Sequence, residues 1–130
     1  MTEQELIART KQFALRIMKL IDAIPANVQG RAIAGQLMRS SSSVGANYRA
    51  ACRARSKAEF ISRFGTVEEE ADESGFWLEL IIEGGLLDAK RVRPLLTEAC
   101  ELASIAAASR KTAAKSLVKS QLANRKSQIP

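Results

Sequence analysis

Histidine is missing from the 130 residues, and cysteine occurs only twice, at Cys52 and Cys100. Without histidine the common zinc ligand sets and most acid–base or nucleophilic triads cannot be assembled. A ferritin-like di-metal site, which needs Glu-x-x-His pairs, is excluded on the same ground. The two cysteines lack metal-ligand spacing and are expected to be buried, reduced thiols. No cofactor and no metal is implied, and the chain is expected not to be an enzyme. Aromatic residues are scarce, at 5%, while alanine is plentiful, a bias toward packed helices rather than sheets. Aromatic interleaving is absent as well: the single Tyr48 and Trp77 make no base-stacking platform. Long apolar runs are also lacking. The N-terminal stretch MTEQELIARTKQF is charged and has no core of the kind a secretion signal needs, and no segment approaches a membrane span. A cytoplasmic protein with no membrane contact is the expectation.

What is present is a helical pattern. Hydrophobic residues make up 46% and charged residues 26%, enough for one domain with its own core. Leu6, Thr10, Phe13, Ile17, Leu20 and Ile24 recur at the spacing of one helix face, which predicts a first helix from about Thr2 to Ala23. Pro25 ends it, and Asn27 can cap the next through its side-chain oxygen. Ile33, Leu37, Val44, Tyr48 and Ala51 continue the spacing to about Arg55, and Ser56 with Glu59 forms a capping box ahead of Phe60. The third helix has the clearest seam, Phe60, Phe64, Val67, Ala71, Ser74, Leu78 and Ile81, and Gly84-Gly85 stops it. Asp88 can cap a fourth helix carrying Leu95, Ala99, Leu102, Ala106, Ser109, Ala113 and Ser116, with Pro94 tolerable only near its start. Four amphipathic helices joined by short turns predict an all-α, antiparallel up-down-up-down four-helix bundle over residues 1–122. The stretch 123–130, without apolar periodicity, is expected to be a frayed basic tail. Cys52 and Cys100 then lie too far apart along the bundle for a disulfide.

The run Ser40 to Ser43 sits inside the second helix, because apolar residues keep helical spacing through it. Small side chains there allow a neighbouring helix to approach closely, each hydroxyl bonding a carbonyl one turn back. Contact of the exposed serines with a phosphate is the other reading.

Charge is segregated along the chain. Residues 1–57 hold ten basic and three acidic side chains, 58–88 one basic and nine acidic, and 89–130 nine basic and two acidic, behind a net charge of +6. Part of this opposition is structural. Folding helix two back on helix three about a turn near Arg55 sets Arg39 level with Ala71, so Arg39 is expected to meet Glu70 or Glu73, unless these charges sit solvated on the surface. The remaining cations have no comparable partners in sequence: Arg49, Arg53 and Arg55 end helix two, and Lys115, Lys119, Arg125 and Lys126 lie on helix four and the tail. They fall near one end of the bundle, where they are either a phosphate-binding band for DNA or RNA backbone or ordinary solubility charge. Phe76, Trp77 and Leu80 lie off the third helix's seam. They mark a subunit interface, with Trp77 widening the core stripe as the alternative.

The order Arg39-Ser40, Ser43, Asn47, Arg55-Ser56, Phe60 and Glu73, followed by leucine and isoleucine, resembles a bacterial four-helix-bundle family. That family includes proteins encoded by intervening sequences of large-subunit rRNA genes and the accessory variability determinant of diversity-generating retroelements. The resemblance spans roughly Leu6 to Leu117. Many members carry Glu-Gly after the asparagine, where this chain has Ala50-Ala51, so that glutamate's role does not carry over. The resemblance implies a cyclic homo-oligomer, commonly a homopentamer. For the retroelement branch it also implies nucleic-acid binding and a reverse transcriptase as partner. A structural or protein-interaction oligomer with no nucleic-acid role is the other function class.

Overall fold

The computed structural model describes residues 1–128, and Ile129 and Pro130 lie outside it. Four helices follow one another: α1 (Glu3–Asp22), α2 (Val28–Cys52), α3 (Lys57–Glu83) and α4 (Ala89–Ser127). No strand occurs among the described residues, and no helix there is long and apolar enough to cross a membrane. Each helix packs against its neighbours in the order α1, α2, α3, α4 and back to α1, the antiparallel up-down-up-down bundle. The α2–α3–α4 contacts are extensive, whereas α1 leans mainly on α2 and only lightly on α4.

Local chemistry sets the helix ends. Thr2 and Glu5 form a reciprocal capping box at α1, satisfying two donors that have no partner inside the helix. Asn27 accepts from Gly30 N–H at 2.8 Å and starts α2. Ser56 Oγ accepts from Glu59 N–H at 3.1 Å, but the Glu59 carboxylate reaches back one residue further than a capping box requires, to Arg55 N–H at 3.0 Å. The backbone must therefore turn before Arg55, and α2 ends at Cys52 rather than at Arg55. At the far end of α3, Gly85 takes φ +69°, which a residue with a Cβ adopts only under strain, and Asp88 caps α4.

The core is a single cluster to which every helix contributes. Phe13 and Ile17, Leu37 and Val44, Leu78 and Ile81, and Val92 and Ala99 are among its fully enclosed side chains. Ser40, Ser41 and Ser74 are buried with them. The serine run is helical, as its flanking periodicity predicts. Ser74 Oγ donates to Ser40 Oγ, Ser40 to the Leu37 carbonyl, and Ser41 and Ser42 to the Met38 carbonyl. Only Ser42 of the run is exposed, so the serines serve helix contact rather than a phosphate surface.

Two expectations need correction. α4 does not fray after Leu122 but remains helical to Ser127. Its last residues are exposed and held by their own backbone hydrogen bonds, so apolar periodicity had nothing to report there. Cys100 is exposed and Cys52 half-buried, and both are free thiols. Cys100 follows the core residue Ala99, and one helical step turns it out of the core to the cleft between α1 and α4.

Candidate nucleic-acid interface

Few of the bundle's twenty cations are held in ion pairs. Three arginines are tied to carboxylates between helices. Arg9 of α1 grips Glu98 of α4 with two nitrogens, at 2.8 and 2.6 Å, and reaches Glu101 at 2.5 Å. Arg110 of α4 donates to Glu68 of α3 at 2.9 Å. Arg39 of α2 spans Glu70, at 3.1 Å, and Glu73 of α3. Glu73 also accepts from the indole N–H of Trp77 at 3.1 Å. The Arg9 hydrogen bonds hold the Glu98 carboxyl below the ordinary glutamate range, against the opposing effect of burial.

Among the cations without an ion pair, seven share one end of the bundle. Arg49, Arg53 and Arg55, and Lys115, Lys119, Arg125 and Lys126, are all exposed, and none enters an ion pair among the described residues. The fold brings them to one end of the bundle. Lys57, the first residue of α3, donates to Ser116 Oγ of α4 at 2.6 Å, which fixes the α2–α3 turn beside the last third of α4. From there residues 117–127 of α4 run on for roughly 16 Å with no helix beside them for most of that length. Val118 and Leu122 on this overhang are 54% and 52% exposed, and its cations alternate with them.

Sequence reasoning missed a groove at the root of this overhang. It is lined by Glu3 of α1, Cys52 and Arg55 at the α2–α3 turn, Phe60 of α3, and Ser109 and Thr112 of α4. Burial pushes the Cys52 thiol up and the Tyr48 phenol beside it well above its ordinary value. No local motif gives such a groove away, since its walls come from all four helices.

Phe76, Trp77 and Leu80 are not equivalent. Phe76 is 51% exposed, whereas Trp77 and Leu80 are half-buried. Trp77 packs on the core and meets Phe76 edge-on, with ring centres 5.1 Å apart.

This is an all-α bundle with a basic, overhanging end. The chain belongs to the 23S rRNA-intervening sequence protein family, whose profile matches residues 2–108. Its fold is similar to the crystal structure of a protein of unknown function from the S23 ribosomal protein family of Bacteroides thetaiotaomicron VPI-5482. The TM-score is 0.78 and the identity 27%, over 85% of this chain and 99% of that one. No curated protein matches the sequence. Within the matched span, several residues that carried the family resemblance hold α2 to α3: Arg39 pairs with Glu70 and Glu73, Ser40 with Ser74, and Asn47 accepts from Arg63 at 3.4 Å, while Ser56 caps α3. Lys115, Lys119, Arg125 and Lys126 lie beyond that span.

Proposed function

We propose that this protein is a non-enzymatic, homo-oligomeric accessory factor that binds the phosphate backbone of nucleic acid through its basic end. The observation that carries the reading is the concentration of unpaired cations at the α2–α3 turn and along the overhanging end of α4. Arg9, Arg39 and Arg110 are consumed in ion pairs, while Arg49, Arg53, Arg55, Lys115, Lys119, Arg125 and Lys126 gather unpaired at one end. Exposed lysines and arginines with no base-reading geometry suit sequence-independent attraction to phosphates. The family's connection to 23S rRNA, and the ribosomal-protein family of the structural relative, are in keeping with an RNA partner. On this reading the protein works beside an enzyme, such as the reverse transcriptase implied by the retroelement resemblance.

Binding of labelled random DNA and RNA across a salt series tests it. The wild type should bind both, with log affinity falling linearly against log salt. Changing Arg49, Arg53, Lys115 and Lys119 together to glutamine should weaken both and lower the slope by about one unit for each phosphate no longer bound. No binding even at low salt refutes the proposal.

The self-assembly part rests on Phe76. A half-exposed phenylalanine beside Trp77 on the outer face of α3 is an apolar patch suited to a second copy.

A further inference from the structure

The basic end of the bundle is open. α1 begins only at Glu3 and α2 stops at Cys52, whereas α4 passes both. The groove left between them measures about 880 Å³, within the roughly 300–1,000 Å³ of small-ligand sites. Phe60 and small alanines supply its apolar lining. Ser109 and Thr112 offer hydroxyls from α4, and Arg55 and Lys57 stand at the α3 start. Phe64 lies 4.6 Å from Phe60 on the core side, so Phe60 is backed by the core while it lines the groove. Glu3 is the one acid in the lining.

We infer that this groove takes one unpaired nucleotide of a single strand. The base lies against Phe60 with its edge toward Ser109 and Thr112, and its phosphate lies between Arg55 and Lys57. The inference rests on the backbone-binding reading and sharpens it from any nucleic acid to a preference for unstacked bases. An apolar lining bordered by hydroxyls and two cations has the chemistry of a nucleotide, which is planar, edged with hydrogen-bonding groups and anionic. A neutral apolar ligand would leave Arg55 and the remaining donors of Lys57 unused, and an acidic peptide would leave the aromatic side chain unused. Stacking is tolerant of sequence because every base has a π face. A duplex keeps its bases inside and cannot present one.

Three probes separate the contributions: a single-stranded 12-mer, an abasic 12-mer with the same phosphates, and a blunt duplex, each labelled for anisotropy at one ionic strength. The wild type should bind the base-bearing strand about tenfold more tightly than the abasic one. Phe60→Leu keeps an apolar side chain on the core and should bring that ratio close to one, leaving duplex affinity unchanged. Ser109→Leu, which fills the groove from α4 without touching the Phe60–Phe64 contact, should do the same. Circular dichroism establishes that both variants stay folded. Equal wild-type binding of base-bearing and abasic strands overturns this inference and leaves backbone binding intact. A preference that survives both variants also overturns it. Displacement of the strand by a glutamate-rich peptide, with the abasic strand bound equally well, assigns the groove to an acidic polypeptide instead. Failure to bind any probe at low salt overturns both readings.

Discussion

Ser74 Oγ of α3 donates to Ser40 Oγ of α2 at 3.0 Å, and both side chains are fully buried. Ser40 donates in turn to the Leu37 carbonyl at 3.3 Å, and Ser74 also reaches the Glu70 carbonyl one turn back at 2.9 Å, so both hydroxyls are satisfied without water. Small hydroxyls at this level allow the two helices to approach closely. Ser74→Ala should cost about 1 kcal/mol, because Ser40 loses its donor. Ser40→Val should cost roughly 1–3 kcal/mol by overfilling the space between the helices. The Ser40→Ala/Ser74→Ala double variant should cost less than the sum of its singles. Urea denaturation should show lower midpoints with unchanged slope, and strict additivity would mean that the two serines are not a unit.

The pairing of Arg9 with Glu98 ties the lightly packed α1 to α4, and Glu98 is only 13% exposed. Its carboxyl titrates below the ordinary value of 4.5, so near and below that pH the unfolded chain binds the proton more readily than the folded one. The stabilisation is therefore fully present above pH 4.5 and is lost as pH falls through the folded-state value. Glu98→Gln should lower stability at pH 7 by on the order of 1 kcal/mol. The gap from wild type should narrow as pH falls below 4.5. A gap that is constant with pH would show that Glu98 contributes packing and not charge.

Gly30 opens α2 beneath the loop that ends α1, and a Cβ there would stand 1.9 Å from the Pro25 carbonyl oxygen. Backbone cannot yield as a flexible side chain does. Gly30→Ala should cost roughly 1–3 kcal/mol. Gly35, exposed in the same helix, has nothing within 4 Å of the position a Cβ would take, and Gly35→Ala should instead stabilise by about 0.5–1 kcal/mol. Thermal unfolding should shift in opposite directions for the two variants.

Much of this fold is written in periodicity, because the features that set it are local. Leu37, Val44 and Tyr48 hold one face through the serines, Asn27 and Ser56 mark helix starts, and Gly84-Gly85 marks a stop. Counting residues back from the α2–α3 turn also places Arg39 beside the acids of α3, where the structure has it. Periodicity reports burial, however, and falls silent where helix continues without a core, as it does from Leu117 to Ser127. It also counts Phe60 as one more seam residue. That Phe60 lines a groove depends on α1 beginning at Glu3 and on α4 passing at Thr112, relationships between distant parts of the chain.

Phe76 tests assembly apart from nucleic-acid binding. Its ring is half-exposed and, unlike Trp77, is not among the side chains packed on the core. Phe76→Asp should leave monomer stability within about 0.5 kcal/mol and dissociate a cyclic homo-oligomer. Light scattering at micromolar concentration should give several subunits for the wild type, a pentamer by family resemblance, and one for the variant. A monomeric wild type ends the proposal of self-assembly.

The overhang of α4 allows the basic end to be divided without disturbing the bundle. Residues 118–127 are exposed, and the core side chains of α4 stop at Ala113. A chain ending at Leu117 loses Lys119, Arg125 and Lys126 but keeps Arg49, Arg53, Arg55, Lys115 and the Lys57–Ser116 hydrogen bond. Its unfolding temperature should stay within about 2 °C of wild type, since little burial is removed. If all three removed cations touch phosphate, the salt slope should fall by about three units for DNA and RNA alike. A truncated chain whose slope matches the full chain would confine phosphate binding to the α2–α3 turn and Lys115. One that loses affinity at a constant slope would show that Val118 and Leu122, and not the cations, are what the overhang contributes.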